Sequence, residues 1–228
     1  MKKFIIGLFV LFFAATSCFA DELRLEKETK YQKKIMEIGF RILNSNQIEK
    51  RMTFFYDTNK SVNAVTYSNP KRIVVFKGIL PLLDSDDEIA AILSHEISHG
   101  LDAHKGFWKR FATEFIPKTY EFQSDKTGVD LMVNAGYNPI AMIIVLNKIC
   151  EEPNTYENFF TTHPNGLKRV VAVYDYIYAK YPSYLVNNEY KTNIYYQNFL
   201  LTTKKERKLI KEKYEAVNSK NVNQKSAK

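Results

Sequence analysis

The feature that most constrains this chain is an H-E-x-x-H motif formed by His95, Glu96 and His99. On a helix, residues four apart lie on one face, so both imidazoles point at a common position where a zinc ion could bind. Glu96 is turned about 100° from His95 around the helix axis. It therefore lies beside the metal position rather than on it, where a general base belongs.

The residues around the motif favour a helix from Asp84 to His104. Ser85 and Glu88 form an S-x-x-E capping box, and the acidic residues of this first turn complement the positive end of the helix dipole. Apolar residues recur at helical spacing and predict a buried stripe: Ile89, Ile92, Leu93 and Ile97. The alternative interpretation is a buried helix that carries two hydrogen-bonded histidines.

The third zinc ligand must come from outside this helix. The chain has four histidines, and His104 is nine residues from His95, so it points to nearly the opposite face. Lys105 stands where a metzincin would place its third histidine. The third ligand is therefore a carboxylate or His163.

A second helix, predicted from Thr119 to Ala135, carries two carboxylates at helical spacing. Glu121 and Asp125 are four residues apart and share a face. Glu121 is the candidate third zinc ligand, and Asp125 would accept the free N–H of one ligating imidazole. The alternative is an ordinary solvated acidic pair.

His163 and Arg169 form another pair of candidates, one in a loop and one entering a helix. Both side chains are able to bind a developing oxyanion. The alternative is a turn histidine beside a proline and a surface arginine.

The remaining pattern predicts a mostly helical α+β fold with a small sheet. An amphipathic helix is expected over Leu23–Leu43, and a buried helix over Ile140–Ile149. Three strands are expected between them, over residues 51–56, 61–67 and 72–77. An extended peptide could pair with an open edge of this sheet beside the zinc helix.

The N-terminus reads as a secretion signal over residues 1–20, with Lys2 and Lys3 before an apolar run of Phe4 to Ala15. We expect cleavage before Asp21 and a periplasmic location. The alternatives are a retained signal anchor and a lipoprotein attached through Cys18. Cys150 would then be the single cysteine of the mature chain, which excludes a disulfide framework.

The net charge of +8 is spread along the chain apart from the C-terminus, so we predict no nucleic-acid partner. Residues 201–228 read as a basic helix followed by a disordered tail. A peripheral contact of this segment with an anionic membrane surface is a hypothesis, and a solvated charged helix is the alternative. The sequence does not indicate an oligomeric state.

Taken together, several motifs resemble the M48 family of zinc metallopeptidases, the HtpX-like group. Asn63-Ala64 resembles its N-A-[FY] edge strand, and Gly78-Ile79-Leu80 its G-L-L turn. The H-E-x-x-H helix is followed by Glu121-Phe122-Gln123-Ser124-Asp125, close to E-F-Q-A-D. Gly128 and Gly136-Tyr137-Asn138-Pro139 follow, and Thr162-His163-Pro164 with Arg169 fits T-H-P-x-x-x-x-R.

This resemblance implies one zinc ion held by His95, His99 and Glu121. Glu96 would activate water, His163 and Arg169 would assist the transition state, and Asn63 and Ala64 would mark the substrate edge strand. Ser98 departs from the usual Gly or Ala, and the segment from His99 to Glu121 is shorter than in many relatives.

We therefore predict a zinc endopeptidase domain over residues 21–200 that cleaves polypeptides of the cell envelope. The alternative from another class is a zinc-containing chaperone or adaptor of envelope assembly, in which His163 closes the metal site and makes it inactive. A thermolysin-like peptidase is the alternative within the enzymes.

Overall fold

The computed structural model describes residues 2–68, 71–102, 117–151, 163 and 166–225. In chain order, these residues form α1 (Lys2–Ser45), β1 (Thr53–Asp57), β2 (Ala64–Ser68), β3 (Lys71–Phe76), a 3₁₀ turn (Leu80–Leu82), α2 (Asp86–Asp102), α3 (Pro117–Asn134), α4 (Ile140–Glu151), α5 (Gly166–Lys180), α6 (Pro182–Val186), α7 (Ile194–Thr202) and α8 (Lys204–Lys225). Helices predominate around one small sheet, which confirms the predicted α+β class.

Helix α1 packs along the sheet and against α2. Its predicted apolar stripe is confirmed, because Ile35, Ile38 and Ile42 are buried, whereas Leu25 and Phe40 are exposed. The helix also runs through the predicted cleavage position without a break. Cleavage of the leader and the domain boundaries drawn from it stay predictions.

The three strands form one mixed sheet in the order β1-β3-β2. β1 runs parallel to β3 with Phe54 opposite Ile73, and β2 runs antiparallel to β3 with Ala64 opposite Val75. β1 and β2 follow each other in the chain but lie on opposite sides of β3. Among the residues that the structure describes, β2 is therefore an edge strand, and it lies against α2.

Helices α2 and α3 pack closely side by side. Gly128 of α3 allows this approach: a Cβ atom built there would lie 3.3 Å from the backbone nitrogen of His95 and 3.0 Å from Cε of Met142. A side chain there would require these neighbours to move by a few tenths of an ångström. The backbone of the H-E-x-x-H motif thus lies directly against α3.

Helix α4 is the buried centre of the fold, and every residue from Ile140 to Ile149 is buried. It packs against α2, α5 and α7. Gly136, with φ of 77°, ends the preceding helix in the left-handed conformation that favours glycine. Asn138 then caps α4 by accepting the N–H of Ile140 at 3.0 Å.

The start of α2 is held to α4 by a buried lysine. Lys148 donates to Glu88 at 2.7 Å, to Asp84 at 2.6 Å and to the backbone carbonyl of Leu82 at 2.8 Å. Burial opposes the charge of Lys148, but these bonds outweigh it and raise the pKa of the side chain. The predicted capping box is present as a bond from the N–H of Glu88 to the Ser85 hydroxyl at 3.2 Å, while the Glu88 carboxylate accepts the N–H of Asp84.

The C-terminal helices cover α4 and α5 with aromatic side chains such as Phe199, which is fully buried beside Tyr174 and Tyr196. Helix α8 continues to Lys225, so it includes most of the stretch for which the sequence predicts disorder. Pairs of opposite charge one turn apart support it, among them Lys208–Glu212. Among the residues whose side chains the structure describes, no helix is long and apolar enough to cross a membrane.

We predict that Lys148→Met lowers the free energy of unfolding by about 3–5 kcal/mol, because Glu88 would be left buried without a cation. The loss of its bond to Lys148 costs Asp84 less, because this carboxylate is largely exposed to water. Urea denaturation measures the change. The double variant Lys148→Met with Glu88→Gln should recover part of the loss, and a single variant as stable as the unaltered chain would contradict the role of the lysine.

Candidate metal centre

Helix α2 brings the two histidines of the motif together. The Nε2 atoms of His95 and His99 are 3.0 Å apart, and the rings are nearly perpendicular, with centroids 4.6 Å apart. This arrangement follows from the four-residue spacing, which stacks the two side chains on one face of the helix.

Glu121 reaches the same position from α3. One of its oxygens, Oε2, lies 3.3 Å from Nε2 of His95, and the other, Oε1, lies 3.2 Å from Nε2 of His99. The carboxylate is buried. The structure therefore brings together the three side chains that the sequence predicts as ligands.

His163 also points into this group. Its Nδ1 lies 3.0 Å from Oε2 of Glu121 and 3.3 Å from Nε2 of His95. Donor atoms of His95, His99, Glu121 and His163 all lie within 4.8 Å of one another. The four residues form one cluster of suitable chemistry for a metal ion.

The spacing of these atoms fits a tetrahedral zinc ion. With bonds of about 2.0–2.1 Å, neighbouring ligand atoms in such a site are roughly 3.3 Å apart. The two Nε2 atoms are 3.0 Å apart, and each has a Glu121 oxygen at a similar distance, Oε2 at 3.3 Å from His95 and Oε1 at 3.2 Å from His99. Nitrogen and carboxylate oxygen donors also match what zinc accepts.

Asp125 lies behind His95, as the sequence predicts. Its Oδ1 is 2.9 Å from Nδ1 of His95. With the proton on Nδ1, His95 donates to Asp125 and directs the lone pair of Nε2 into the cluster. Burial opposes the charge of Asp125, but Arg169 and His95 outweigh it and keep the pKa of this carboxyl below its usual value.

Arg169 is buried among the acidic groups. Its Nε and Nη2 donate to the two oxygens of Asp125, each at 2.7 Å. Nη1 lies 2.9 Å from Oε2 of Glu121 and donates to the backbone carbonyl of His163 at 3.3 Å. The guanidinium thus links two carboxylates and the loop of His163. That Arg169 contacts a developing oxyanion stays a prediction. Its bonds favour a role in positioning Glu121, Asp125 and His163.

The charge of His95 depends on Glu121. Burial on its own would lower the pKa of His95, but the Glu121 carboxylate and the bond to Asp125 outweigh it and raise the pKa to about 9. The carboxylates around His95 thus favour its protonated form, and a metal ion, which needs the neutral imidazole, would compete with that proton.

Glu96 lies beside the cluster and is not one of its members. Its side chain is buried; Oε1 lies 3.5 Å from Nε2 of His163, and Oε2 accepts a hydrogen bond from the hydroxyl of Thr66 at 2.7 Å. The role of Thr66 cannot be found from the sequence: the pattern predicts its strand, but no spacing rule connects a residue of β2 with one of α2.

Two serines near the histidines differ in their bonding. The Ser124 hydroxyl lies 3.3 Å from Nδ1 of His99 and can orient that ring. The Ser98 hydroxyl is buried and has no hydrogen-bond partner among the described residues.

The predicted edge residue Ala64 is buried, and the side-chain oxygen of Asn63 accepts a hydrogen bond from its N–H at 2.9 Å. His104 lies outside the described residues.

A helical fold with an H-E-x-x-H helix and a carboxylate from the following helix defines a metallopeptidase of the zincin type. The comparison with known families agrees: the model of peptidase family M48 matches residues 29–108 and 106–177. The chain belongs to peptidase family M48.

A curated relative is the mitochondrial metalloendopeptidase OMA1 of Arabidopsis thaliana, which is 26% identical over 126 residues. The match covers 43% of this chain and 26% of the relative. The similarity therefore concerns about a quarter of that longer protein.

We predict that Ser98→Ala raises the free energy of unfolding by about 1 kcal/mol, because a buried hydroxyl without a partner is costly and alanine favours the helix. The melting temperature should rise by about 2–4 °C. Ser124→Ala is the matched control, and it should lower the melting temperature since its hydroxyl contacts His99. A loss of stability in Ser98→Ala would contradict this account.

Proposed function

We propose that this chain is a zinc endopeptidase that cleaves polypeptides with Glu96 as the general base. The observation that carries the proposal is the meeting of buried His95, half-buried His99 and buried Glu121 at one point, while Glu96 lies beside this cluster and 3.5 Å from Nε2 of His163. His95 and His99 are the proposed zinc ligands on α2, and Glu121 is the ligand on α3. Three protein ligands leave a fourth position for water, as catalytic zinc sites require.

When bound, zinc would supply a Lewis acid that lowers the pKa of a water molecule to about 7. Glu96 accepts the proton of the attacking water and later delivers it to the departing amine. Its burial and its bond to Thr66 hold the carboxylate in one orientation. Asp125 fixes the tautomer of His95 through the bond to Nδ1.

His163 is proposed to assist the developing oxyanion through Nε2, the ring nitrogen that faces Glu96. Arg169 contributes by holding Glu121, Asp125 and the backbone of His163 in one arrangement. We propose that it acts on the reaction through these groups.

The open edge of β2 supports an extended polypeptide as the substrate, with Asn63 and Ala64 at the start of the strand. Main-chain hydrogen bonds to an edge strand hold a peptide with little dependence on its sequence. The apolar leader of residues 4–15 supports export, and we propose envelope proteins of the periplasm as substrates.

The proposed chemistry predicts different losses in two variants of the purified, zinc-loaded chain. Glu96→Gln should keep one zinc ion per chain but lose cleavage of casein by at least about 100-fold, because the general base is removed. Glu121→Gln should lose zinc on dialysis, because one ligand has lost its charge. Atomic absorption measures the metal, and labelled casein measures cleavage.

Full activity of Glu96→Gln would refute the mechanism. Full zinc content of Glu121→Gln would refute the ligand set. Cleavage by the unaltered chain should stop with a chelator and return when zinc is added.

A second candidate is a chaperone or adaptor with a closed metal site. The position of His163 favours it, because Nδ1 lies near Glu121 and His95, where it could complete a set of four protein ligands. A zinc ion with four protein ligands has no position left for water, so such a site is structural.

The variant His163→Ala separates the two candidates. For the peptidase, we expect casein cleavage to fall by about 10²–10³-fold with one zinc ion retained, because a group that stabilises the transition state is lost. An increase in cleavage would show that His163 blocks the site, and would support the closed form. Lys168→Ala, at an exposed position of α5 beside Arg169, is the control and should change neither cleavage nor zinc content.

A further inference from the structure

Thr66 lies at the centre of β2 and faces the H-E-x-x-H helix. Its hydroxyl donates to the Glu96 carboxylate at 2.7 Å and lies 2.9 Å from the backbone carbonyl of Glu96. Gly100, one turn further along α2, lies beside the methyl group: a Cβ atom there would be 3.4 Å from Cγ2 of Thr66, which is an ordinary van der Waals contact. The side chain therefore occupies the space between Glu96 and Gly100.

The bond fixes one half of the Glu96 carboxylate. Oε2 is bound by Thr66, whereas Oε1 faces His163 at 3.5 Å, beyond a short hydrogen bond. A carboxylate without such a partner can rotate about its last side-chain torsion, which has a broad energy profile. With Oε2 held, Oε1 is directed to the side of the cluster where a proton would be accepted.

The backbone of Thr66 faces the other way, towards the open edge of the sheet. Asn63 and Phe76 are a hydrogen-bonded pair, because the N–H of Phe76 donates to the carbonyl of Asn63 at 3.1 Å. In an antiparallel ladder such pairs alternate with pairs that are not hydrogen-bonded. Thr66 and Ile73 form a pair of the second kind, so the N–H and C=O of Thr66 point away from β3.

Ala64 has the same orientation, but the side chain of Asn63 already binds its N–H. Among the described residues of β2, Thr66 thus presents its main chain to the open edge while its side chain holds the carboxylate of Glu96. A strand that pairs with β2 would contact this residue directly.

We propose that Thr66 is a positioning residue, whose hydroxyl fixes the Glu96 carboxylate so that a polypeptide paired with β2 meets an oriented general base. This inference rests on the proposed function, since it concerns the same reaction. Thr66 itself transfers no proton to the substrate; its effect passes through Glu96.

Two substitutions separate the hydroxyl from the shape of the side chain. In the full-length, zinc-loaded chain, Thr66→Val keeps the shape and removes the donor, and Thr66→Ser keeps the donor. With labelled β-casein, we expect kcat of Thr66→Val to fall about tenfold, a part of the 10²–10⁴ that a general base contributes. KM should stay within about twofold, and Thr66→Ser should retain at least about half of the kcat.

A second measurement does not depend on activity. In thermal unfolding, Thr66→Val should melt about 2–4 °C below Thr66→Ser when Glu96 is present. In a Glu96→Ala background this difference should shrink, because the carboxylate that distinguishes the two variants is gone. An equal difference in both backgrounds would overturn the inference.

The outcomes also distinguish the inference from the proposed function. If Thr66→Val cleaves casein as the unaltered chain does while Glu96→Gln is inactive, the role of Thr66 is wrong and the peptidase mechanism stands. If the unaltered zinc-loaded chain cleaves no casein, both are overturned. Equal losses in Thr66→Val and Thr66→Ser would also overturn the role of the hydroxyl.

Discussion

The close packing of α2 against α3 is the constraint on which the site depends. One helix carries both imidazoles and the other carries Glu121, so the cluster exists only while the two backbones remain in contact. Gly128 permits that contact beside the backbone of His95. At the start of α2, the buried bond between Lys148 and Glu88 holds the same helix to α4. The position of the H-E-x-x-H motif thus depends on a close backbone contact at His95 and on a buried ion pair at the start of the helix.

The electrostatics of the site point to a divalent cation. Glu96, Glu121 and Asp125 are buried carboxylates, and Arg169 is the permanent cation bonded to two of them. Three negative charges against one positive charge leave a formal charge of −2. Buried charges are costly unless they are paired, so this excess of negative charge favours a bound cation. The same carboxylates raise the pKa of His95, which is the effect expected of a site that attracts positive charge.

Much of this arrangement can be predicted from the sequence, because it follows from local periodicity. Residues four apart share a helix face, which is enough to pair His95 with His99 and to place Glu121 and Asp125 together. The order of the strands is not local, and neither is the bond between Thr66 and Glu96, since both depend on how the sheet packs against α2. Arg169 shows the same limit: its residue type indicates a cation, but its complete burial between Asp125 and Glu121 depends on the docking of α5 against α3. The ion pair of Lys148 could be anticipated in part, because a lysine within an apolar helix requires a buried partner of opposite charge.

The central claim is that one zinc ion is held by side chains from two helices. It is tested most directly by anomalous diffraction at the zinc edge, on crystals of the full chain purified with zinc. The account predicts one strong peak about 2.0–2.2 Å from Nε2 of His95, Nε2 of His99 and a carboxylate oxygen of Glu121. A zinc-loaded crystal with no peak there, or with Glu121 turned away from the ion, would contradict it.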